Sequence, residues 1–277
     1  MLLKFMSSQS NIPIFIPSKG RWDNGLTWHA LDAMGVDRYR VIVEPQEYEL
    51  YRKVLPKEKL LILDMEFKRK YETCDNIPYE ENIRVGSGAA RNFGWYIAKK
   101  EGAPWHWIID DNIKRFFVYN DNTKLNAKFD TFACVERFVE NYSNVTMAGM
   151  QYAMFVPRKQ KHKPLVINTR IFSCNLIKTN SPFKWRGRYN EDVILSMDML
   201  ERGYCTILFQ TYLCEKMTTQ KMKGGNTDEI YRNGTEAKSR LLKSVYPDKV
   251  ELVMRYGRPH HRVDFTKFYG KNKLIRK

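Results

Sequence analysis

The sequence predicts an α/β fold, a mixed and mostly parallel sheet flanked by helices. Two observations carry that expectation. In the N-terminal part of the chain short apolar runs alternate with helical patterns, which is how parallel strands and their covering helices read. Further on, the apolar run Trp107-Ile108-Ile109 stops abruptly at Asp110-Asp111-Asn112, with Ile113, Phe116 and Phe117 behind it. A buried strand that ends in paired acids offers them at its C-terminal tip, where open α/β sheets place their ligands.

The elements follow in order. Ile12 to Pro17 is expected as a first strand, closed by the polar turn Ser18-Lys19-Gly20-Arg21-Trp22. Thr27 to Met34 has helical spacing, Tyr39 to Val43 is a second strand, Glu47 to Val54 a second helix and Leu60 to Leu63 a third strand. Gly88 to Lys100 is helical, with Ser87 as N-cap and Gly102 as stop. Beyond the acids, Asp130 to Tyr142 reads as a helix, and Met147 to Phe155 and Leu165 to Ile177 have strand composition. Asp192 to Arg202 is a helix stopped by Gly203, and Thr206 to Leu213 a strand. A Gly224-Gly225 loop, a polar helix near Glu229 to Ser244 and a basic tail complete the chain.

At 277 residues with 43% hydrophobic and 13% aromatic content, the chain can bury a sizeable core, which excludes intrinsic disorder. The formal charge of +16 points to a polyanionic partner, nucleic acid first and an acidic membrane surface second, against a generic basic solubility surface. The five cysteines (Cys74, Cys134, Cys174, Cys205, Cys214) have no metal-ligand spacing and read as reduced, buried thiols. Met1 to Met6 is too short for a signal segment and no run reaches membrane-spanning length, so a cytoplasmic protein is expected and no membrane partner. The glycosylation-like matches at Asn141, Asn144 and Asn233 then carry little weight.

The acids carry the chemistry. Hard oxygen ligands at Asp110-Asp111-Asn112 suit Mg²⁺ or Mn²⁺, a metal usually shared with substrate phosphates. A second cluster, Asn190-Glu191-Asp192, opens a helix, where carboxylates complement the positive N-terminus. Either cluster alone is an ordinary turn or cap; together they fit metal-phosphate binding plus a general base. Gly86-Ser87-Gly88 does not make a dinucleotide fingerprint, because Arg91 stands where its last glycine belongs.

Four segments together resemble a known family. Asp110-Asp111-Asn112 is similar to the DxD-type motif of nucleotide-sugar glycosyltransferases with the GT-A fold, a Rossmann-type arrangement, and Asn190-Glu191-Asp192 to their later xED motif. Ile14 to Trp22, Ala89-Ala90-Arg91-Asn92-Phe93-Gly94-Trp95, Trp107 to Ile113 and Tyr189 to Asp192 resemble the TET-associated DNA glycosyltransferases. That group includes the base J glucosyltransferases and phage enzymes that glycosylate hydroxymethylated pyrimidines in DNA. The similarity runs over most of residues 11–215. It implies a core over 1–215, with a donor half near 11–115 and an acceptor half near 116–215, and a basic extension over 216–277 packed on it.

The resemblance implies a metal-dependent, inverting glycosyltransferase that takes a UDP-sugar or related nucleotide sugar. Mn²⁺ or Mg²⁺ would bridge the acids and the donor diphosphate. Two frames stay open: Asp110 with Asn112 as ligands, or Asp111 as main ligand with Asp110 nearer the ribose. Lys19 and Arg21 would meet nucleotide or phosphate; Arg91 would reach the same pocket or else form a salt bridge to Asp110 or Asp111. Asp192 would be the general base and Glu191 its support. Some relatives take a third metal ligand from a late histidine, which makes His260 or His261 a candidate beside the plainer reading of polar residues in a basic loop.

The acceptor is read from charge. Three basic clusters are available for DNA: Arg158-Lys159-Gln160-Lys161-His162-Lys163, Lys184-Trp185-Arg186-Gly187-Arg188, and a tail from Arg255 that holds Arg258 and Arg262. Phe183, Trp185 and Tyr269 could stack on an extruded base, with Trp185 alternatively in the core. Lys223 to Asn226 reads as a loop closing over the diphosphate or as a connector. The expected acceptor is DNA containing a hydroxymethylated pyrimidine, with 5-hydroxymethylcytosine first and phage DNA hypermodification as the setting. A protein or glycan acceptor, or a non-catalytic DNA-binding relative, is the alternative.

Overall fold

A computed structural model describes residues 10–80, 85–217, 236–255 and 257–277. The loop expected at Lys223 to Asn226, the Asn233 match, Met1 to Met6 and the start of the helix expected near Glu229 lie outside the described residues.

One large sheet organises the chain. It contains β1 (Ile14–Pro17), β2 (Tyr39–Val43), β3 (Leu60–Ile62), β4 (Trp105–Ile109), β5 (Ile113–Asn120), β6 (Thr123–Asn126), β7 (Val145–Tyr152), β8 (Leu165–Ile167), β9 (Cys174–Lys178) and β10 (Cys205–Lys216). The order is β3-β2-β1-β4-β9-β7-β10-β5-β6, with β8 beside β10. Strands β1 to β4 pair parallel, and β7 pairs parallel with β10. Because β9 is antiparallel to both β4 and β7, the strands β3, β2, β1, β4, β7 and β10 all point the same way. This is the mixed, mostly parallel sheet that the sequence predicts.

Strand alternation sorts the core into two layers. Ile14 and Ile16 pack with Trp28 and Leu31 of α1 (Leu26–Asp32) and with Phe132, Val135 and Val139 of α5 (Thr131–Val139). Phe15, between them in sequence, faces the opposite layer. There it joins Ala89 and Phe93 of α4 (Gly88–Lys100) and Leu195 and Met199 of α6 (Glu191–Glu201). Asp130 caps α5, accepting from the Ala133 amide at 3.1 Å. At the start of α4, a Cβ on Gly88 would fall 1.8 Å from the Tyr71 hydroxyl, so only glycine lets this helix end approach so closely.

Several expectations shift. Glu47 to Val54 shrinks to a 3₁₀ turn, Pro45–Glu47, and one α turn, α2 (Tyr48–Tyr51). A further single turn, α3 (Glu66–Arg69), precedes α4. Leu165 to Ile177 splits into β8 and β9, because Asn168 and Ser173 adopt left-handed backbone at φ 60° and 57°. The basic tail is not irregular: β11 (Val250–Arg255) and β12 (Arg258–Val263) form a separate hairpin. Together with α7 (Glu236–Val245) and α8 (Thr266–Tyr269), it packs Leu242, Val250, Phe265 and Phe268 onto Val193, Ile194, Met197 and Leu200 of α6. The cysteines form no disulfide: Cys174, Cys205 and Cys214 are buried, Cys74 and Cys134 half-buried. Among the described residues no helix is long and apolar enough to cross a membrane.

The acidic tip after β4 is pinned by one hydroxyl. Thr27, fully buried in α1, donates to the Asp110 carbonyl at 2.7 Å and accepts from the Ile113 amide at 2.9 Å. Thr27→Val keeps the shape and strands both backbone groups. A loss of about 1–3 kcal/mol of stability is expected in urea denaturation, the cost of leaving buried polar groups unpaired; an unchanged midpoint would show that this pin is dispensable.

Candidate active site

The order β2-β1-β4 places a topological switch between β1 and β4, where an open α/β sheet leaves a crevice at its C-terminal edge. A cavity of about 370 Å³ lies there. The tips of the co-directional strands reach it in turn: Leu63 after β3, Glu44 after β2, Ser18, Lys19 and Arg21 after β1, Asp110 to Asn112 after β4, Tyr152 from β7 and Lys216 from β10. Residues opening α4 (Ser87, Ala89, Ala90) and α6 (Asn190, Glu191, Asp192) complete the wall. Two helix N-termini thus border one cavity, an arrangement that favours anions. Apart from the candidate histidines, the structure brings together the residues assigned from the sequence to catalysis, donor or metal: Lys19, Arg21, Arg91, Asp110, Asp111, Asn112, Glu191 and Asp192.

The two aspartates of the tip have different surroundings. Asp110 takes Arg91 on Oδ1 at 2.8 Å, and Ser173 and Lys216 on Oδ2 at 2.6 Å each. Burial opposes its ionisation, but Lys216 and Arg91 outweigh burial and hold its carboxyl well below the usual range. Asp111 accepts from Ser18 at 2.7 Å and pairs with Arg21, while Tyr51 holds the Ser18 hydroxyl at 2.7 Å. Burial dominates there and pushes its carboxyl up despite Arg21.

Arg91 joins the two acid clusters. Its Nη1 donates to Asp192 at 2.5 Å and its Nη2 to Asp110, with Glu191 at 3.7 Å. Both functions foreseen for Arg91 therefore coincide: it lines the pocket, and it is ion-paired to Asp110. Burial raises the Asp192 carboxyl to about 6, with Arg91 opposing and Glu191 and Asp110 adding to the rise. Among the described residues the hydrogen bonds to the Asp192 carboxylate fall on Oδ1, the second from Asn175 at 3.2 Å. Ser87 stands at the N-cap position of α4 but does not cap it; its hydroxyl donates to Glu191 at 2.8 Å, tying the start of α4 to that of α6.

The expected metal is not matched by this donor set. Mn²⁺ and Mg²⁺ take oxygen ligands at about 2.0–2.2 Å, yet all four carboxylate oxygens of Asp110 and Asp111 accept from a cation or a hydroxyl. Asn112 directs its Nδ2 to the Met217 carbonyl at 3.2 Å, and its buried Oδ1 has no partner among the described residues. Among the described residues no three His, Cys, Asp or Glu side chains are grouped to hold a metal ion. His260 and His261 lie on β12 outside the cavity lining, and His261 faces Ser239 at 3.3 Å.

The basic clusters divide. Arg158, Lys159 and Lys161 are exposed, as are Arg258 and Arg262 on the hairpin, and Lys184 is exposed beside Glu72 at 2.9 Å. Arg186 and Arg188 are corrections, and Trp185 takes the core alternative. Trp185 is 0% exposed and lies under the Arg91 guanidinium at 4.6 Å, its large apolar area driven into the core. Arg188 is buried on Asp75 at 2.5 Å and Arg186 is held by Asp198 at 2.7 Å, since guanidiniums withdrawn from water demand carboxylate partners. These three side chains turn toward the core, while Lys184 of the same segment stays exposed.

Sequence reasoning missed Glu44, Lys68, Ser173, Lys216, Lys238 and the aromatics Tyr152, Phe155 and Phe172 as cavity residues. Glu44 was within reach of the rule that found Asp110, for it directly follows the apolar strand β2. Glu44 is buried between Lys19 at 3.0 Å and Lys68 at 2.5 Å.

Residues 12–225, well over half of the chain, match the TET-Associated Glycosyltransferase family. No curated protein matches. Among solved structures the chain is similar to the mannose-1-phosphate geranyltransferase of Thermus thermophilus, at 12% identity with a TM-score of 0.32, over 72% of this chain and 58% of that one.

The raised Asp192 carboxyl has a thermodynamic signature. A carboxyl whose folded pKa lies above its unfolded value favours folding below the unfolded value, and that contribution is lost as pH rises through about 6. Asp192→Asn removes the buried charge and is expected to stabilise the protein at pH 8 by about 1–3 kcal/mol, an advantage that fades between pH 6 and 4. Chemical denaturation at pH 8, 6 and 4 checks it; equal or lower stability of the variant at pH 8 would contradict it.

Proposed function

This chain belongs to the TET-associated glycosyltransferase family, and from that premise we propose that it moves a sugar from a nucleotide-sugar donor to the hydroxyl of a 5-hydroxymethylpyrimidine in DNA. The acceptor we favour is 5-hydroxymethylcytosine, in hypermodified phage DNA. One observation supports this reading above the others: Arg91 joins the strand-tip acid Asp110 and the helix-start acid Asp192 within one cavity. Donor clamp and general base then stand on either side of a single reacting carbon.

In this reading the donor diphosphate lies at the start of α4 among Lys19, Arg21 and Lys216. The acceptor oxygen attacks the anomeric carbon opposite the leaving diphosphate, and its proton passes to Asp192. Attack from that side inverts the configuration. A carboxyl near pKa 6 is ionised at neutral pH and basic enough to accept the proton. Glu191, held by Ser87, helps to keep the start of α6 in place.

The acceptor side is aromatic and basic. Tyr152 and Phe172 stack at 6.0 Å between ring centroids, and Phe155, 55% exposed, lies against Tyr152 at 5.9 Å. A pyrimidine lifted out of the DNA stack would find a π-surface there. Arg158, Lys159 and Lys161 follow Phe155 closely in the chain and are exposed; in this reading they hold the phosphates on either side of that base.

The test incubates the protein with UDP-sugars and hydroxymethylated or unmodified DNA and weighs the released nucleosides. A hexose-sized gain on the hydroxymethylated base alone is expected; modification of a glycan or peptide acceptor with DNA untouched would sink the reading. Asp192→Asn should retain UDP and lose about 10²–10⁴-fold in turnover, and wild-type kcat/KM should climb through pH 6 to a plateau. Replacing Arg158, Lys159 and Lys161 by Ala should weaken DNA binding and flatten its salt dependence by about 0.9 per lost phosphate contact. An unchanged slope would move the DNA path elsewhere.

A further inference from the structure

Lys216 closes β10 where the pairing with β5 slips, between Glu215 and Lys216. A bulge at that point breaks the alternation of a strand and re-aims one side chain. The following residue is stitched to the acidic tip: the Met217 amide donates to the Asn112 carbonyl at 2.9 Å, and Asn112 Nδ2 to the Met217 carbonyl at 3.2 Å. Lys216 is thus held at the tip by its own backbone. Its ammonium donates to Asp110 at 2.6 Å and to Ser173 at 2.8 Å, and stands 5.8 Å from the Tyr152 ring centroid. The ion pair with Asp110 offsets the cost of burying that charge.

The cavity wall as a whole is already neutralised. Its acids Glu44, Asp110, Asp111, Glu191 and Asp192 are met by Lys19, Arg21, Lys68, Arg91, Lys216 and Lys238. A site built around a divalent ion is the reverse, a set of carboxylates whose charge awaits the metal. Resting on the donor reading above, we propose that Lys216 is a catalytic residue that takes the role of that ion and lets transfer proceed without a metal. As the acceptor oxygen bonds to the anomeric carbon, the bond from that carbon to the diphosphate oxygen breaks and its electron pair stays on the diphosphate. The acceptor proton goes to Asp192. The added negative charge on the leaving diphosphate is met by the Lys216 ammonium, a fixed charge in a partly dry site and so effective there.

Calorimetry on the full chain stripped with EDTA, using UDP and inorganic pyrophosphate as probes, separates this from a metal site. Binding is expected in EDTA and unchanged by added Mn²⁺. Lys216→Met should weaken it by about 10–100-fold, the range of a charge-assisted hydrogen bond, and Lys216→Arg should restore most of the loss. Thermal melts of both variants show whether they fold, and sugar transfer in EDTA gives a second readout. Binding or transfer that needs Mn²⁺, or a Lys216→Met protein that folds and binds like wild type, overturns the role of Lys216 and leaves the donor reading standing. Failure to bind either probe with or without Mn²⁺ overturns both.

Discussion

The Arg91 guanidinium is the interaction on which the site depends. It is buried inside α4, with Asp110 from the tip of β4 on one side and Asp192 from the start of α6 on the other. Such a charge is tolerable only beside carboxylates, and Asp110 shares it with Lys216. The ring of Trp185 beneath the guanidinium closes off solvent, and Asn92 holds the Trp185 backbone at both its amide and its carbonyl. The adjacent residues Arg91 and Asn92 therefore fix the acid clusters and the segment that seals them.

Around that ion pair the sheet imposes a simple geometry. Strands that run the same way end on the same edge, so residues far apart in sequence, from Ser18 to Lys216, arrive side by side. The reversed strand β9, between β4 and β7, serves the same edge from its other end: Ser173, just before its first residue, hydrogen-bonds Asp110. The site costs stability. Asp192 is buried against its own preference for water, and burial raises its carboxyl, a cost in folding energy at neutral pH.

What the sequence disclosed follows from how local each signal is. Asp110 to Asn112 and Ser18 to Arg21 were legible because an apolar parallel strand stops abruptly at a polar residue, and that pattern is complete within a few positions. Lys216 was not, because its place depends on a register slip against β5 that composition does not record. The same limit explains Trp185, Arg186 and Arg188. Arg186 and Arg188 look like a basic surface in sequence, and only their distant partners Asp198 and Asp75 reveal that they turn inward; for Trp185 the burial under Arg91 decides between the surface and core alternatives. The helix at Gly88 to Lys100 was placed correctly, while the role of Ser87 was not, since a capping serine and one that bonds a remote glutamate have the same neighbours.

Helix α6 is covered on both sides. Leu195 and Met199 meet the sheet layer, and Val193, Ile194, Met197 and Leu200 meet Leu242, Val250, Phe265 and Phe268 of the C-terminal segment. The family match ends at residue 225, before any of those last four residues. The stretch recognisable by kinship is therefore shorter than the stretch that folds as a unit. The helix bearing Glu191 and Asp192 draws part of its support from beyond the shared pattern, so the posture of an inherited motif is set in part by a segment that the pattern does not include.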